Sequence, residues 1–311
     1  MPRFWTLVIL FALAAPASAL NSRSAVSVNG LDTNPCTPAS PCRSFAAAIL
    51  QTSPGGEIVA LDSAGYGAAA LSTGMMISGA PGAHAAITVT SGDAISINAA
   101  ATDIVTLRNL IMIGSGTGAH GVSSQVSGEV RILNCYIMGF ALNGITNEGG
   151  RQTIDHCVVV NCGTANGDSG INQNSDNAEG QAVVTNTLIE DCPNGILVFA
   201  TANGNASASV MNCTIVGSTY DAVDAVSNYQ KGETARLIVE NSMLAYSTVG
   251  ASANNGESLN GDTAIVYLSQ DLIDYCSVGA NPYGGGVVKS YGNNRFAEVG
   301  SVGTLSLVSL Q

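Results

Sequence analysis

The sequence predicts an all-β fold: a single-stranded right-handed parallel β-helix, a solenoid of about nine or ten coils with a short N-terminal capping helix. Three observations predict it. One phrase recurs, with a polar residue, mostly asparagine, two places after an apolar residue and three before another. The anchors are Asn109 in "VTLRNLIM", Asn134 in "VRILNCYI", His156 in "QTIDHCVV", Asn186 in "AVVTNTLI", Asn212 in "ASVMNCTI", Asn241 in "LIVENSML" and, weakly, Ser269 in "VYLSQDLI". Their steps are 25, 22, 30, 26, 29 and 28 residues. Each phrase is tied to a small residue followed by an apolar one: Gly121-Val122, Gly144-Ile145, Gly170-Ile171, Gly195-Ile196, Ala222-Val223, Gly250-Ala251 and Gly279-Ala280. Finally, 36 glycines and only 10% charged residues disfavour helices and suit tightly stacked strands.

Residues 1–19 are read as a secretory signal: Arg3, the apolar run "FWTLVILFALA", Pro16 and "ASA" before the expected cleavage point. That run is too short for a membrane anchor, and no second stretch of membrane length follows. The expected address is the medium or the periplasm, with no membrane insertion once the signal is removed. Residues 20–56 form an N-terminal segment. In "NPCTPASPC", Cys36 and Cys42 sit six apart around two prolines and are expected to close a small disulfide loop. "CRSFAAAILQT" places Phe45, Ala48 and Ile49 on one face of a short helix suited to plug the open end of a solenoid, ending at Ser53-Pro54-Gly55-Gly56.

Residues 57–311 are read as the solenoid. Each unit holds three short strands: one starting at Gly-Ile, one running into the asparagine, and one leaving it. Asparagine tolerates the left-handed backbone of a tight corner, and stacked amides can bond to each other in a ladder, so Asn109, Asn134, His156, Asn186, Asn212 and Asn241 are structural residues. Alternation sends Ile132, Cys135 and Ile137 inward and Tyr136 outward. Cys135, Cys157 and Cys213 share the position after the corner with Thr187 and Ser242. Cys162 and Cys192 follow the third strand of adjacent coils, close enough for a possible disulfide. The tail "GTLSLVSLQ" alternates and is expected to cover the last coil.

"NPCTPASPCRSFAAAI…GGEIVALDSAGYG", the Asn-corner coils and the late "SYGNNRF" together resemble a group of exported bacterial right-handed β-helix repeat proteins related in fold to the pectate lyase superfamily. The resemblance spans nearly the whole chain after the signal. It implies the fold and an exported protein. It implies no single activity, because the superfamily includes pectate lyases, polygalacturonases and pectin esterases alongside adhesins and phage tailspikes.

The net charge of −12 argues against nucleic acid and anionic membranes, which need clustered cations. Counting two residues past each Gly-Ile glycine gives an outward column of Ser96, Ser123, Thr146, Asn172, Leu197, Asp224, Ser252 and Asn281, with Glu148, Asn174, Phe199 and Val226 two further on. Thr146, Glu148, Asn172, Asn174, Phe199 and Asp224 are the candidate ligand residues, on a polar face suited to hydrogen-bonding and stacking on a glycan or cell-envelope polysaccharide. No catalytic set is assigned. Lys231, Lys289, Arg108, Arg131, Arg151 and Arg236 read as scattered. His120 in "AHG" precedes a corner. Asp221 and Asp224, three apart, are expected on opposite sides of a strand. No cofactor is expected; the loop acids Asp168, Asp176 and Glu179 leave only a weak case for Ca²⁺. The sequence thus favours a non-catalytic exported protein acting in surface interaction or glycan binding. The alternative is a polysaccharide lyase or glycoside hydrolase whose site the sequence does not reveal.

Overall fold

The computed structural model describes residues 19–125, 128–227, 232–256 and 261–309. Residues 1–18, which carry nearly all of the expected export signal, lie outside them. The described chain winds into a parallel solenoid with three faces. One sheet has 12 strands and the other two have ten each, every neighbour pair being one coil apart in sequence. The unit is as the repeat predicts. Glu129–Leu133 and Tyr136–Met138, for example, meet at Asn134 and pair in register with the coils on either side. Ile132 and Ile137 are fully buried, Cys135 nearly so, and Tyr136 faces out. The core is a column of Ile, Val, Leu and Ala side chains shared between coils, so each coil is stabilised by its neighbours.

The first corner is left-handed at every asparagine anchor: Asn109 (φ 55°), Asn134 (53°), Asn186 (51°), Asn212 (55°) and Asn241 (50°), with His156 at 52°. The last corner is Gln270 (φ 59°), not Ser269, since Glu240 pairs with Ser269 and Asn241 therefore stacks under Gln270. The amide ladder runs in pieces. Asn134 Nδ2 donates to Asn109 Oδ1, and Asn241 Nδ2 to Asn212 Oδ1, both at 2.7 Å. At the histidine it is bridged by Asp155, whose carboxylate accepts from Asn186 Nδ2 at 2.9 Å and pairs with His156 Nδ1 at 2.8 Å. A second left-handed corner, absent from the sequence reading, follows the third strand at Gly139, Asn161, Asp191, Gly217, Tyr246, Tyr275 and Glu298.

The residues after the first corners form an inward ladder of their own. Their side chains accept from the N–H one coil earlier: Cys157 Sγ from Cys135, Thr187 Oγ1 from Cys157, Ser242 Oγ from Cys213 and Asp271 Oδ1 from Ser242. Cys162 and Cys192 stack in the same way, with the Cys162 N–H 3.4 Å from Cys192 Sγ, and both are free thiols rather than a disulfide. Cys36 and Cys42 are bonded, with Cα atoms 4.6 Å apart.

The helix spans Phe45–Gln51, capped by Ser44, and buries Phe45 and Ala48 over the first coil. It passes directly into strand Thr52–Ala60, so Pro54 stands within an extended segment rather than in a break. Strand Asn21–Val26 pairs parallel with that strand and begins the 12-stranded sheet, which extends the solenoid ahead of the helix. At the other end Ser301–Gly303 and Ser306–Leu307 add to two sheets, leaving Leu307 exposed.

Candidate functional site

One ten-stranded sheet changes character along the rod. Its early strands, such as Ile95–Ile97, Val122–Ser124 and Ile145–Asn147, have three residues. From Ser169–Asn174 through Asn194–Ala200, Asp221–Ser227, Val249–Asn254 and Val278–Tyr283 they have six or seven. These longer strands floor a groove of about 560 Å³, with the Asn166-Gly167 loop on one side.

The register puts the floor in columns. Asn172, Leu197, Asp224, Ser252 and Asn281 lie in one line, and Asn174, Phe199, Val226, Asn254 and Tyr283 in another. A third line stands one residue before the corner glycines, where Ser169, Asn194 and Asp221 follow one another up the rod. The glycines are there for close approach: a Cβ on Gly144 would lie 2.5 Å from Val159 Cγ1, and one on Gly170 would lie 2.6 Å from Ile189 Cγ2. In the coil of the aspartates this position is Ala222, which is fully buried.

A regular strand would send Asp221 and Asp224 to opposite faces. Both nevertheless line the groove, and the ladder to the next coil pairs Asp221 with Val249 and Val223 with Ala251, passing over Ala222 between them. Asp224 is buried, and its Oδ1 has no hydrogen-bond partner. Burial pushes the Asp224 carboxyl up to about 6, against hydrogen bonds from Ser252 and Ala225 that favour the charge. Burial and the charge of Asp224 push half-buried Asp221 up to about 8. Both carboxyls are thus harder to ionise than a free aspartate, Asp221 the more so because Asp224 lies beside it.

Of the six residues singled out from the sequence, the structure brings Asn172, Phe199 and Asp224 together. Thr146 is buried two coils away from Leu197 along the same column. Glu148 accepts from Asn177 Nδ2 at 3.1 Å, and Asn174 Oδ1 holds the N–H of Asp176 at 3.1 Å, so both serve turns. Asp221, Asn194, Asn254 and Tyr283 belong to the groove and were not anticipated. A sequence signal existed for Asp221, since it stands immediately before the small-apolar pair Ala222-Val223.

Other polar clusters lie elsewhere. Asp93 and His120 pair at 2.8 Å before the corners of two earlier coils. A second hollow of about 560 Å³ lies over the first corners between Ala80 and Val158. Arg236 and Lys289, expected to be scattered, flank Tyr267 on the 12-stranded sheet, each 5.0 Å from its ring centre. Asp168 caps its own turn through the N–H groups of Thr164 and Ala165, and Glu179 accepts from Asn205. Among the described residues no group of three or more His, Cys, Asp or Glu is placed to hold a metal ion, and no helix is long and apolar enough to cross a membrane.

Comparison with family models and with curated protein sequences finds no match. Solved structures match in shape. Pectate lyase Pel9A is 13% identical with a TM-score of 0.62, over 93% of this chain and 78% of that one. A rhamnogalacturonan lyase is 12% identical with a TM-score of 0.46, over 81% and 74%. Full-length tailspike protein 2 from Escherichia coli O157:H7 bacteriophage CAB120 is 12% identical with a TM-score of 0.49, over 82% and 39%. In fold, the chain is a pectate lyase-like right-handed parallel β-helix.

Proposed function

We propose that this chain is an exported glycan-binding protein that seats a sugar chain along the groove on its lengthened strands. The observation that carries this reading is the floor itself, where Phe199 and Tyr283 stand beside the amides of Asn172 and Asn254 and the two aspartates. Aromatic faces stack on the apolar side of a sugar ring, while amides and carboxylates meet its hydroxyls. That Pel9A, with the same fold, is a pectate lyase supports a polysaccharide as the ligand class. A glycan array probed with the purified protein tests the reading. Binding to one glycan class is expected, weakened about tenfold by Phe199→Ala and unchanged by Glu148→Gln. Binding to no glycan, or binding indifferent to Phe199→Ala, overturns it.

A second reading is favoured by the paired carboxyls. Both carboxyls line one groove and burial raises both, Asp221 further through the charge of Asp224, and a pair of that kind can serve as acid and base in cleaving a glycosidic bond. New reducing ends released from the bound glycan, abolished by Asp221→Asn and by Asp224→Asn alike, would support it. An intact glycan after prolonged incubation would exclude it.

A further inference from the structure

The hollow over the first corners lies on a different side of the rod from the groove. Between strands Met76–Gly79 and Ala85–Thr88 the chain takes five residues, 80–84. One coil later a single residue, Asn109, joins Ile104–Arg108 to Leu110–Ile113. The longer loop, through Ala80–Ala83, walls one end of the hollow above Asn109, Asn134 and His156. Residues of both adjoining sheets line it: Arg108 on one side, and Ile111, Tyr136 and Val158, stacked in register, on the other. A second hollow shares Arg108, Asn109, Asn134 and His156 and reaches Leu133 and Asp155. The corner is thus a trough along the rod, closed at one end.

Its polar groups are left unengaged where the amide ladder breaks. Asn134 Nδ2 donates to Asn109 Oδ1. The next rung is His156, whose Nδ1 turns to Asp155, so among the described residues nothing donates to Asn134 Oδ1. Arg108 makes no ion pair or side-chain hydrogen bond among them. Both side chains are exposed and open to a ligand. Within 104–158 only Val126 and Ser127 lie outside the described residues, and neither is charged. The positive charge therefore stands at the walled end. Two coils on, about 10 Å away, the same register column holds Asp155, whose carboxylate is taken up by Thr185, Asn186 and His156.

This layout separates ligand chemistries. A polyuronate carries a carboxylate on every unit, and the later ones would approach Asp155, where like charges repel. A neutral glycan would leave Arg108 without a counter-charge and set hydroxyls against Ile111 and Val158. A peptide C-terminus brings one carboxylate at one end, matched to the guanidinium fork. Its side chains offer apolar surface to Ile111, Tyr136 and Val158, and its N–H groups can reach Asn134 Oδ1. Three extended residues cover about 10 Å, the span from Arg108 to Asp155.

We infer that the trough captures the C-terminal end of an extended peptide, its carboxylate on Arg108 and its last side chains along Tyr136. The site is separate from the glycan groove and does not rest on that reading.

The test is isothermal titration of the purified protein with acetylated tetrapeptides ending in leucine, valine or phenylalanine, each as the free acid and as the C-terminal amide. At least one acid is expected to bind about tenfold tighter than its amide. Arg108→Gln is expected to bring the two to equal affinity, and Tyr136→Ala to weaken the acid about fivefold. Arg131→Gln removes a charge from the same sheet outside the trough and is expected to change nothing. Thermal melts check that each variant keeps its fold. If Arg108→Gln does not fold, hydrogen exchange of the unaltered protein with the best acid decides, with protection expected at 108–113 and 133–138. Equal affinity for acids and amides, a preference that survives Arg108→Gln, protection elsewhere, or no peptide bound overturns the inference. Oligogalacturonate that competes for Arg108 as tightly as the best acid overturns it too. Glycan binding in the groove is read separately, on the glycan array.

Discussion

Asp221 and Asp224 line the same groove although they are three residues apart in one strand, and the ladder to the next coil passes over buried Ala222 between them. The pair is the site's main electrostatic feature, and it has consequences that can be measured without knowing the ligand.

Stability is expected to peak near pH 4–5. Burial raises the carboxyls of Asp221 to about 8, Asp224 to about 6 and Asp271 to about 7. Each folded value exceeds its unfolded one near 4, so the folded state holds these protons more tightly. Their contribution is complete below about pH 4 and is lost as pH rises through 6–8. Asp155 acts oppositely. Although burial opposes it, hydrogen bonds from Thr185, Asn186 and His156 bring it to about 2, so its contribution is lost as pH falls from 4 to 2. Urea midpoints measured from pH 2 to 9 check this, and Asp221→Asn is expected to flatten the alkaline decline.

The corner glycines are expected to be intolerant. Gly144→Ala places a Cβ 2.5 Å from Val159 Cγ1 and 2.6 Å from the Gly170 carbonyl oxygen. A loss of roughly 2–4 kcal/mol is expected from overpacking. Ala222→Gly, where a Cβ is already accommodated, is expected to cost about 1 kcal/mol. Thermal or urea unfolding distinguishes the two.

The asparagine corners are expected to depend on backbone more than on the amide. Asn134, at φ 53°, is replaced by Gly with a change within about 1 kcal/mol, but by Val with a loss of about 2 kcal/mol or more. Denaturant unfolding of the two variants measures the difference.

Breaking the Cys36–Cys42 bridge with a double Cys→Ser change is expected to lower stability by about 2 kcal/mol, as the loop is short. Because the loop packs ahead of the first coil, the loss is expected to show as earlier exchange of amides in residues 21–60 rather than as collapse of the groove.

The fold was legible because asparagine is among the few residues that settle into a left-handed corner, and the same residue recurs at one coil's spacing. Where the corner residue lacks that habit the reading slips. Gln270 was passed over for Ser269, and the second corner, occupied by Gly139, Asn161, Asp191, Tyr246 and Tyr275, shares no side-chain chemistry. The column from Ser96 to Asn281 stacks in the expected register, because strand register follows from the Gly-Ile pairs, but Ser123, Thr146, Asn172, Leu197, Asp224 and Ser252 in it are buried rather than open to solvent. Which part of that column forms a site was not legible. Strand lengths, turns that engage Glu148 and Asn174, and the ladder irregularity at Ala222 are set by three-dimensional packing. Regular alternation cannot reveal two carboxyls that line one groove from positions three apart.

The most direct test of the central claim, that the groove on the lengthened strands is the binding surface, is hydrogen exchange followed by mass spectrometry, with and without a saturating bound oligosaccharide. Protection confined to peptides covering residues 194–199, 221–226, 252–254 and 281–283 is the result expected. Protection over the first corners at 108–158, or over none of these segments, would contradict it.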